Sequence, residues 1–149
     1  MIIYREYRDK DWTAICNIHD RARPDELTGS CDPRGFIPIE QDAEVEDLKR
    51  SHKYVACMEE QVVGFVGVDG DYLAWLYVDP VHYGMGIGRT LLKLGLGEIG
   101  GDAWTIVLDG NHKAISLYES EGFKEVKRFA GDNNGYPCTC LRLERKKPG

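Results

Sequence analysis

The sequence predicts one α/β domain of the α+β kind: a mixed central sheet of about six to seven strands, mostly antiparallel, flanked by about four helices. Three observations carry this. Three apolar strand-like runs follow one another from Lys53 to Val78 with only short turns between them, which is hairpin patterning. A glycine-rich segment then separates the third run from a stretch of helical periodicity. Two further strands close the chain around the turn Asp132-Asn133-Asn134-Gly135. A length of 149 residues suits one domain with one core, spanning 1–149, with 145–149 as a frayed tail.

The elements follow in order. Ile2 to Arg8 (IIYREYR) reads as the first strand. Asp9, Lys10 and Asp11 open a helix, with carboxylates where the helix dipole favours them. Trp12, Ile15 and Cys16 keep helical spacing, so this helix is predicted to end near Arg21. Ala22 to Pro38 holds Pro24, Gly29, Pro33, Gly35 and Pro38, all punctuation residues, and is predicted as an irregular, functional or mobile loop. Ile39 to Ser51 is predicted as a second helix with an acidic start. Lys53 to Glu59 and Val62 to Asp69 form a hairpin, and Tyr72 to Val78 (YLAWLYV) is the most apolar strand, hence central. A helix follows the glycine segment to Gly100, Ala103 to Leu108 (AWTIVL) is a buried strand, and Asn111 to Gly122 is a helix. Phe123 to Ala130 and Pro137 to Glu144 are the terminal strands.

Composition narrows the function classes. Hydrophobic residues make up 42% and charged residues 30%, mixed in sign, which fits a folded domain. The net charge of -6 argues against general nucleic-acid binding, which needs a basic face. No apolar run approaches the roughly 20 residues of a membrane helix, and Met1 to Asp11 lacks the pattern of a secretory signal. The five cysteines, Cys16, Cys31, Cys57, Cys138 and Cys140, show no metal spacing. All five are expected to be reduced, the protein cytoplasmic, and no metal is expected.

The segment YVDPVHYGMGIGRTLL, Tyr77 to Leu92, carries the chemistry. A strand ends at Val78, Pro80 prevents its continuation, glycines follow at alternate positions, and a helix begins. Glycine tolerates positive φ and lets backbone approach a ligand closely. Amide groups gathered at a helix N-terminus make an anion site suited to a pyrophosphate. A Walker loop would end in Gly-Lys-Ser/Thr, whereas this chain has Gly88-Arg89-Thr90 without the preceding spacing. A dinucleotide fingerprint needs a third glycine where Arg89 stands. A nucleotide hydrolase would also need a metal-binding Ser/Thr and Asp pair, and none is found in context.

Tyr83-Gly84-Met85-Gly86-Ile87-Gly88 resembles the acetyl-CoA motif Gln/Arg-x-x-Gly-x-Gly/Ala of the GNAT superfamily of N-acetyltransferases. NHKAISLYESEGF, Asn111 to Phe123, resembles that family's second signature, Asn-x-x-Ala-x-x-x-Tyr-x-x-x-Gly-Phe. The two blocks sit at family-like spacing and cover roughly the C-terminal half. The resemblance implies a GNAT-like sheet with a parallel splayed pair, and transfer of an acetyl group from acetyl-CoA to a primary amine by direct attack. It implies cofactor contacts from the strand end Leu76, Tyr77 and Val78, from Tyr83, Gly84, Met85, Gly86, Ile87, Gly88, Arg89 and Thr90, and from Asn111. Tyr83 departs from the pattern, since the family has Arg or Gln there. Phosphate would then be gripped mainly by backbone amides.

The implied chemistry sets three tasks: positioning the thioester, deprotonating an ammonium whose pKa is near ~10, and protonating the departing thiolate. Tyr118 matches the family's tyrosine and is the candidate proton donor, with a core aromatic as the alternative use. Asn111 is a ligand contact, a helix cap, or both. The base stays open among Asp79, His82, His19, Asp20 and Glu26, with a water chain as a further route. Arg89, Lys93 and Lys113 are candidates to meet the CoA phosphates. Trp75 and Tyr77 share one face of the central strand and either wall the acceptor site or belong to the core. The acceptor is expected to be a small-molecule or peptide amine, with no nucleic acid or membrane partner; the open edge at the C-terminal hairpin allows homodimer pairing. A second function class, a CoA-binding regulatory or sensor module without turnover, shares the same loop.

Overall fold

The computed structural model describes residues 1–149. Seven strands, β1 (Ile2–Glu6), β2 (His52–Met58), β3 (Gln61–Asp69), β4 (Tyr72–Val78), β5 (Ala103–Leu108), β6 (Lys124–Asn133) and β7 (Tyr136–Arg145), form one sheet in the order β1-β2-β3-β4-β5-β7-β6. Four helices, α1 (Trp12–Leu27), α2 (Val45–Arg50), α3 (Ile87–Ile99) and α4 (His112–Ser120), complete it. Every pairing is antiparallel except β4 with β5, as the mixed-sheet expectation requires.

Strand alternation sends side chains to two cores. Val66, Val68 and Leu73 join Leu91, Leu92 and Leu96 of α3, with Tyr118 and Phe123, in the larger cluster. Phe65 and Trp75 project the other way and pack with Ile15 and Ile18 of α1 and with Leu48. The apolar spacing of Ile87, Leu91 and Leu92 gives α3 one face for the sheet. Gly95 lets it approach closely, because a Cβ there would stand 3.1 Å from Val66 Cγ2. Gly100, at φ 74°, ends the helix in the left-handed conformation.

Three boundaries differ from expectation. α1 runs six residues past Arg21, to Leu27, with Pro24 inside it. Proline withholds only the bond to the carbonyl of residue i−4, and the buried Ala22 and Leu27 hold the last turn in place. The predicted helix Ile39 to Ser51 is instead a single turn, Ile39–Gln41, followed by the short α2. The buried Lys53 ends α2 by donating from Nζ to the carbonyls of Leu48 (2.9 Å), Ser51 (2.9 Å) and Lys49 (3.3 Å). The terminal hairpin is longer than predicted, because Asn134 (φ 51°) and Gly135 (φ 92°) alone make the turn.

The expectation of five reduced thiols is overturned. Cys31 and Cys138 form a disulfide across a sequence separation of 107, while Cys16, Cys57 and Cys140 are free and buried. The bridge ties the segment after α1 to β7. Arg34 over the Tyr136 ring (5.2 Å) and Asn134 Nδ2 donating to Gly35 O (2.8 Å) reinforce the same junction. No helix is long and apolar enough to cross a membrane.

Two predictions follow from these ties. Asp11, 3% exposed, accepts from both Arg5 guanidinium nitrogens (2.8 and 2.9 Å) and from Arg8 N (2.8 Å). The Arg5 hydrogen bonds hold its carboxyl below the ordinary value of 3.8. A lowered carboxylate pKa stabilises the fold above the unfolded-state value, and that contribution is lost as pH falls through the folded value. Asp11→Asn should therefore cost about 2–3 kcal/mol at neutral pH. The gap from wild type should close below pH ~4, as read by urea titration at neutral and acidic pH. Separately, reductant should lower wild-type stability by about 2–4 kcal/mol and leave Cys31→Ser unmoved, as read by thermal melts of both proteins.

Candidate active site

β4 and β5 touch at one end only. Their single register pair is Tyr72 with Trp104. There the two rings stack at 4.0 Å and 8°, and Trp104 N donates to Asp71 O (3.2 Å). Thr105 Oγ1 donates to Leu73 O (2.8 Å), and beyond this the strands diverge. Asp79 N donates to Val63 O (2.8 Å) on the β3 side. Backbone amides alternate along a strand, so those of Leu76 and Val78 face the gap while that of Tyr77 faces β3. A cavity of about 760 Å³ runs through this splay.

The glycine loop closes one end of the cavity. Asp79 Oδ1 accepts from Val81 N (3.2 Å) and turns the chain at Pro80–His82. Gly84 (φ 80°) and Gly86 (φ 78°) then take conformations that side chains resist. The amides of Gly84, Met85, Gly86, Ile87, Gly88 and Arg89 donate to no backbone carbonyl. This is the geometry of an anion site. Ile87 is buried and anchors α3. Gly84, Gly86, Ile87, Gly88 and Arg89 line the cavity, together with Leu76, Tyr77, Val78 and Tyr83. Two of the predicted contacts do not. Met85 projects outward, 51% exposed, and Thr90 turns both its amide and its hydroxyl back to Gly86 O (3.2 Å each).

The opposite wall comes from β5 and α4. Tyr118 is 6% exposed, packs edge-on against Phe123 at 5.2 Å, and lines the cavity beside Thr105. Burial pushes its phenol well above the ordinary range, so it carries its proton at neutral pH. Asn111 lines the cavity and makes no side-chain cap bond to α4, which leaves its amide free for a ligand. Arg89 Nη1 is taken by Glu121 (2.6 Å) and Ser120 (2.9 Å). Lys93 does not line the cavity, whereas Lys113 does.

The other half of the cavity is polar and ordered. Tyr77 Oη donates to Glu26 Oε1 (2.6 Å), which also accepts from Arg23 Nη1 (2.9 Å), and Arg23 Nη2 donates to Asn133 Oδ1 (3.1 Å). Burial, then the Glu26 carboxylate, push the Tyr77 phenol far up. Trp75 and Tyr77 do share a face, with His19 against both rings at 6.1 and 5.0 Å. Burial lowers the His19 imidazole, so it is neutral at pH 7. Among the candidate bases, Asp79 is spent on Arg21 (2.5 Å) and its turn, and Asp20 is spent on His19 (3.0 Å) and Ile39 N (2.9 Å). Glu26 and His82 both line the cavity.

Sequence reasoning missed Glu44, Tyr72, Thr105, Cys138 and Cys140, all of which line the cavity. Burial, then Asp42, push the Glu44 carboxyl up. Thr105 offered a signal, as the one hydroxyl in an otherwise apolar strand. Glu44 offered none, since it sits in an acidic stretch that reads as solvated surface.

Comparisons with known proteins converge on the same description. The family model for an acetyltransferase (GNAT) domain matches residues 49–125. The chain is 34% identical over 114 residues to the peptidyl-lysine N-acetyltransferase YjaB of Escherichia coli, covering 72% of this chain and 77% of that protein. A GCN5-related N-acetyltransferase from Rhodopseudomonas palustris superposes with a TM-score of 0.84 at 18% identity, covering 97% and 95% of the two chains. The yncA structure from Salmonella typhimurium, solved with its cofactor acetyl-CoA, has a TM-score of 0.73 at 19% identity, covering 100% and 95%. With its splayed parallel pair, glycine loop and matched domain, this chain belongs to the GNAT acetyltransferase family and is an acyltransferase.

Proposed function

We propose that the enzyme moves an acetyl group from acetyl-CoA to a primary amine, with a peptide lysine as the acceptor class. One observation carries the donor half. A row of unbonded amides, Gly84 to Arg89, meets the open edge of β4 in the same cavity that Tyr118 lines. That combination fits a pyrophosphate joined to an extended amide-bearing arm. The name of the 34% identical relative supports the acceptor class.

The roles follow from position. The loop amides hold the pyrophosphate, with the α3 dipole behind them. The Leu76 and Val78 backbone groups pair with the arm and the thioester carbonyl, as a missing strand would. Asn111 gives the arm a side-chain hydrogen bond. Tyr118 donates its proton to the departing thiolate, whose conjugate acid resembles a cysteine thiol near ~8.5. Glu26 receives the acceptor ammonium: its Oε2 takes no bond from Arg23 or Tyr77. Only the neutral amine attacks, so a first proton leaves through water toward Glu44, whose surroundings already favour its protonated form, and the proton that the attacking nitrogen sheds as the C–S bond breaks restores the Tyr118 phenol.

The reading is tested by following CoA release with a lysine peptide; no turnover by the wild type with any amine overturns it. Tyr118→Phe should lower kcat by about 10²-fold or more, with little change in the KM for acetyl-CoA. Glu26→Gln should raise the acceptor KM. Gly88 supplies a test of the donor half. A Cβ there meets only Val78 Cγ2 at 3.7 Å and Leu117 Cδ2 at 3.8 Å, so the free protein has room for it. Gly88→Ala should leave stability equal or raised by up to about 1 kcal/mol. It should still weaken acetyl-CoA about tenfold or more, roughly 1.4 kcal/mol, because the methyl occupies ligand space.

A further inference from the structure

The loop has no basic side chain at position 83, yet its ligand is a polyanion and the chain is net acidic at -6. Partial charges on amides meet two or more full phosphate charges, so a cation close to the loop matters for affinity. Arg23, Arg89 and Lys113 are the lysine and arginine residues that line the cavity. Arg23 is held by Glu26 at the acceptor half (2.9 Å). Arg89 is held by Glu121 (2.6 Å), so a phosphate would have to compete with a carboxylate for it.

Lys113 differs from both. It is exposed on the first turn of α4, and no carboxylate lies within ion-pair distance of it. Its Nζ instead sits 3.8 Å from the centroid of the Tyr83 ring. Tyr83 Oη donates to Asp25 Oδ2 (3.1 Å), which fixes the ring from its far side. An aromatic face attracts an ammonium without neutralising it. The charge is therefore held beside the glycine loop, with its N–H donors still available to an anion. Docking on a fixed ring also reduces the side-chain freedom lost on binding.

We propose that Lys113, docked on the face of Tyr83, supplies the phosphate-directed charge that the loop lacks at position 83. Tyr83 is then the positioning residue and Lys113 the contact. This deepens the acetyl-CoA reading above and rests on it. It accounts for two features at once: the tyrosine in place of a basic residue, and a lysine without a carboxylate partner at the mouth of an acidic protein.

The test is calorimetric titration of folded wild type, Lys113→Met, Lys113→Arg, Tyr83→Phe and Tyr83→Leu with CoA and with S-acetylpantetheine, which lacks the phosphates, at low and high salt. Lys113→Met should weaken CoA about tenfold and flatten its salt dependence. Its loss for S-acetylpantetheine should be much smaller. Lys113→Arg should retain most of the affinity. Tyr83→Phe keeps the ring face but loses the Asp25 tether and should bind more weakly than wild type yet more tightly than Tyr83→Leu, whose loss should not be additive with that of Lys113→Met. A wild type that binds no CoA refutes the acetyl-CoA reading itself. A wild type that binds CoA beside an equally tight Lys113→Met refutes this inference alone, as does an equal loss for S-acetylpantetheine. Full affinity in Tyr83→Leu refutes the docking role.

Discussion

The fold depends on two parallel strands that are joined at one end and parted at the other. The Tyr72–Trp104 stack, with Arg142 Cζ over the Trp104 ring at 4.1 Å, pins the closed end. β5 is fully engaged by β7 on its far edge, from Ala103–Arg145 to Leu108–Cys140, and β4 is engaged by β3. Both strands are thus stable without each other. That is what lets their facing edges stay open without destabilising the sheet. An exposed strand edge is normally an aggregation hazard; here it lies inside a cavity, where an extended ligand is the natural partner. The glycine loop, α3 and α4 all follow from this gap, since each is placed at its rim.

The acceptor half is assembled differently, from long-range ties between segments that are remote in the chain. α1 contributes Arg23 and Glu26, β4 contributes Tyr77, and the terminal hairpin contributes Asn133. The Cys31–Cys138 bridge and the Asn134–Gly35 bond hold the segment after α1 against that hairpin. Arg23 bonds both Glu26 and Asn133 of that hairpin, so the proposed amine site and this junction share one residue. The donor half has no such tie. Its amides are fixed by local backbone conformation at Gly84 and Gly86.

That contrast explains what was legible in the sequence. Gly84, Gly86, Pro80 and the helix start encode the donor half within a dozen residues, and local rules suffice to read them. The hairpins from Lys53 to Val78 are legible for the same reason. Pro24 misled because a single proline costs a helix one bond, which tertiary burial of Leu27 outweighs. The acidic stretch from Ile39 to Ser51 has helical composition, yet Lys53 caps it early from outside the segment. Cys31 and Cys138 carry no mark of their pairing, because Cys138 and Cys140 alternate like any strand residues and only the fold selects which thiol meets Cys31. Glu44 and Thr105 become site residues only once the cavity exists.

Charge is distributed along the cavity in a way that composition hides. Lys113 stands at the loop end with Arg89, which Glu121 neutralises, and with Asp25, which Tyr83 Oη contacts, while Asp42, Glu44, Asp47 and Asp69 crowd the other end. A polyanionic donor and a cationic acceptor would repel or attract the same groups if both entered one uniformly charged mouth. Under the proposed function, a far end rich in carboxylates draws the cationic acceptor to its own side, away from the loop. Between the ends the lining residues carry little net charge: Arg23 pairs with Glu26 through one carboxylate oxygen, His19 is uncharged, and Tyr77 and Tyr118 are held protonated by burial. A neutral centre suits a step in which an uncharged amine attacks an uncharged thioester. In the proposed reaction charge develops on the attacking nitrogen, on the carbonyl oxygen and then on the departing sulfur, and Tyr118 lines the same cavity as the proposed proton donor to that sulfur.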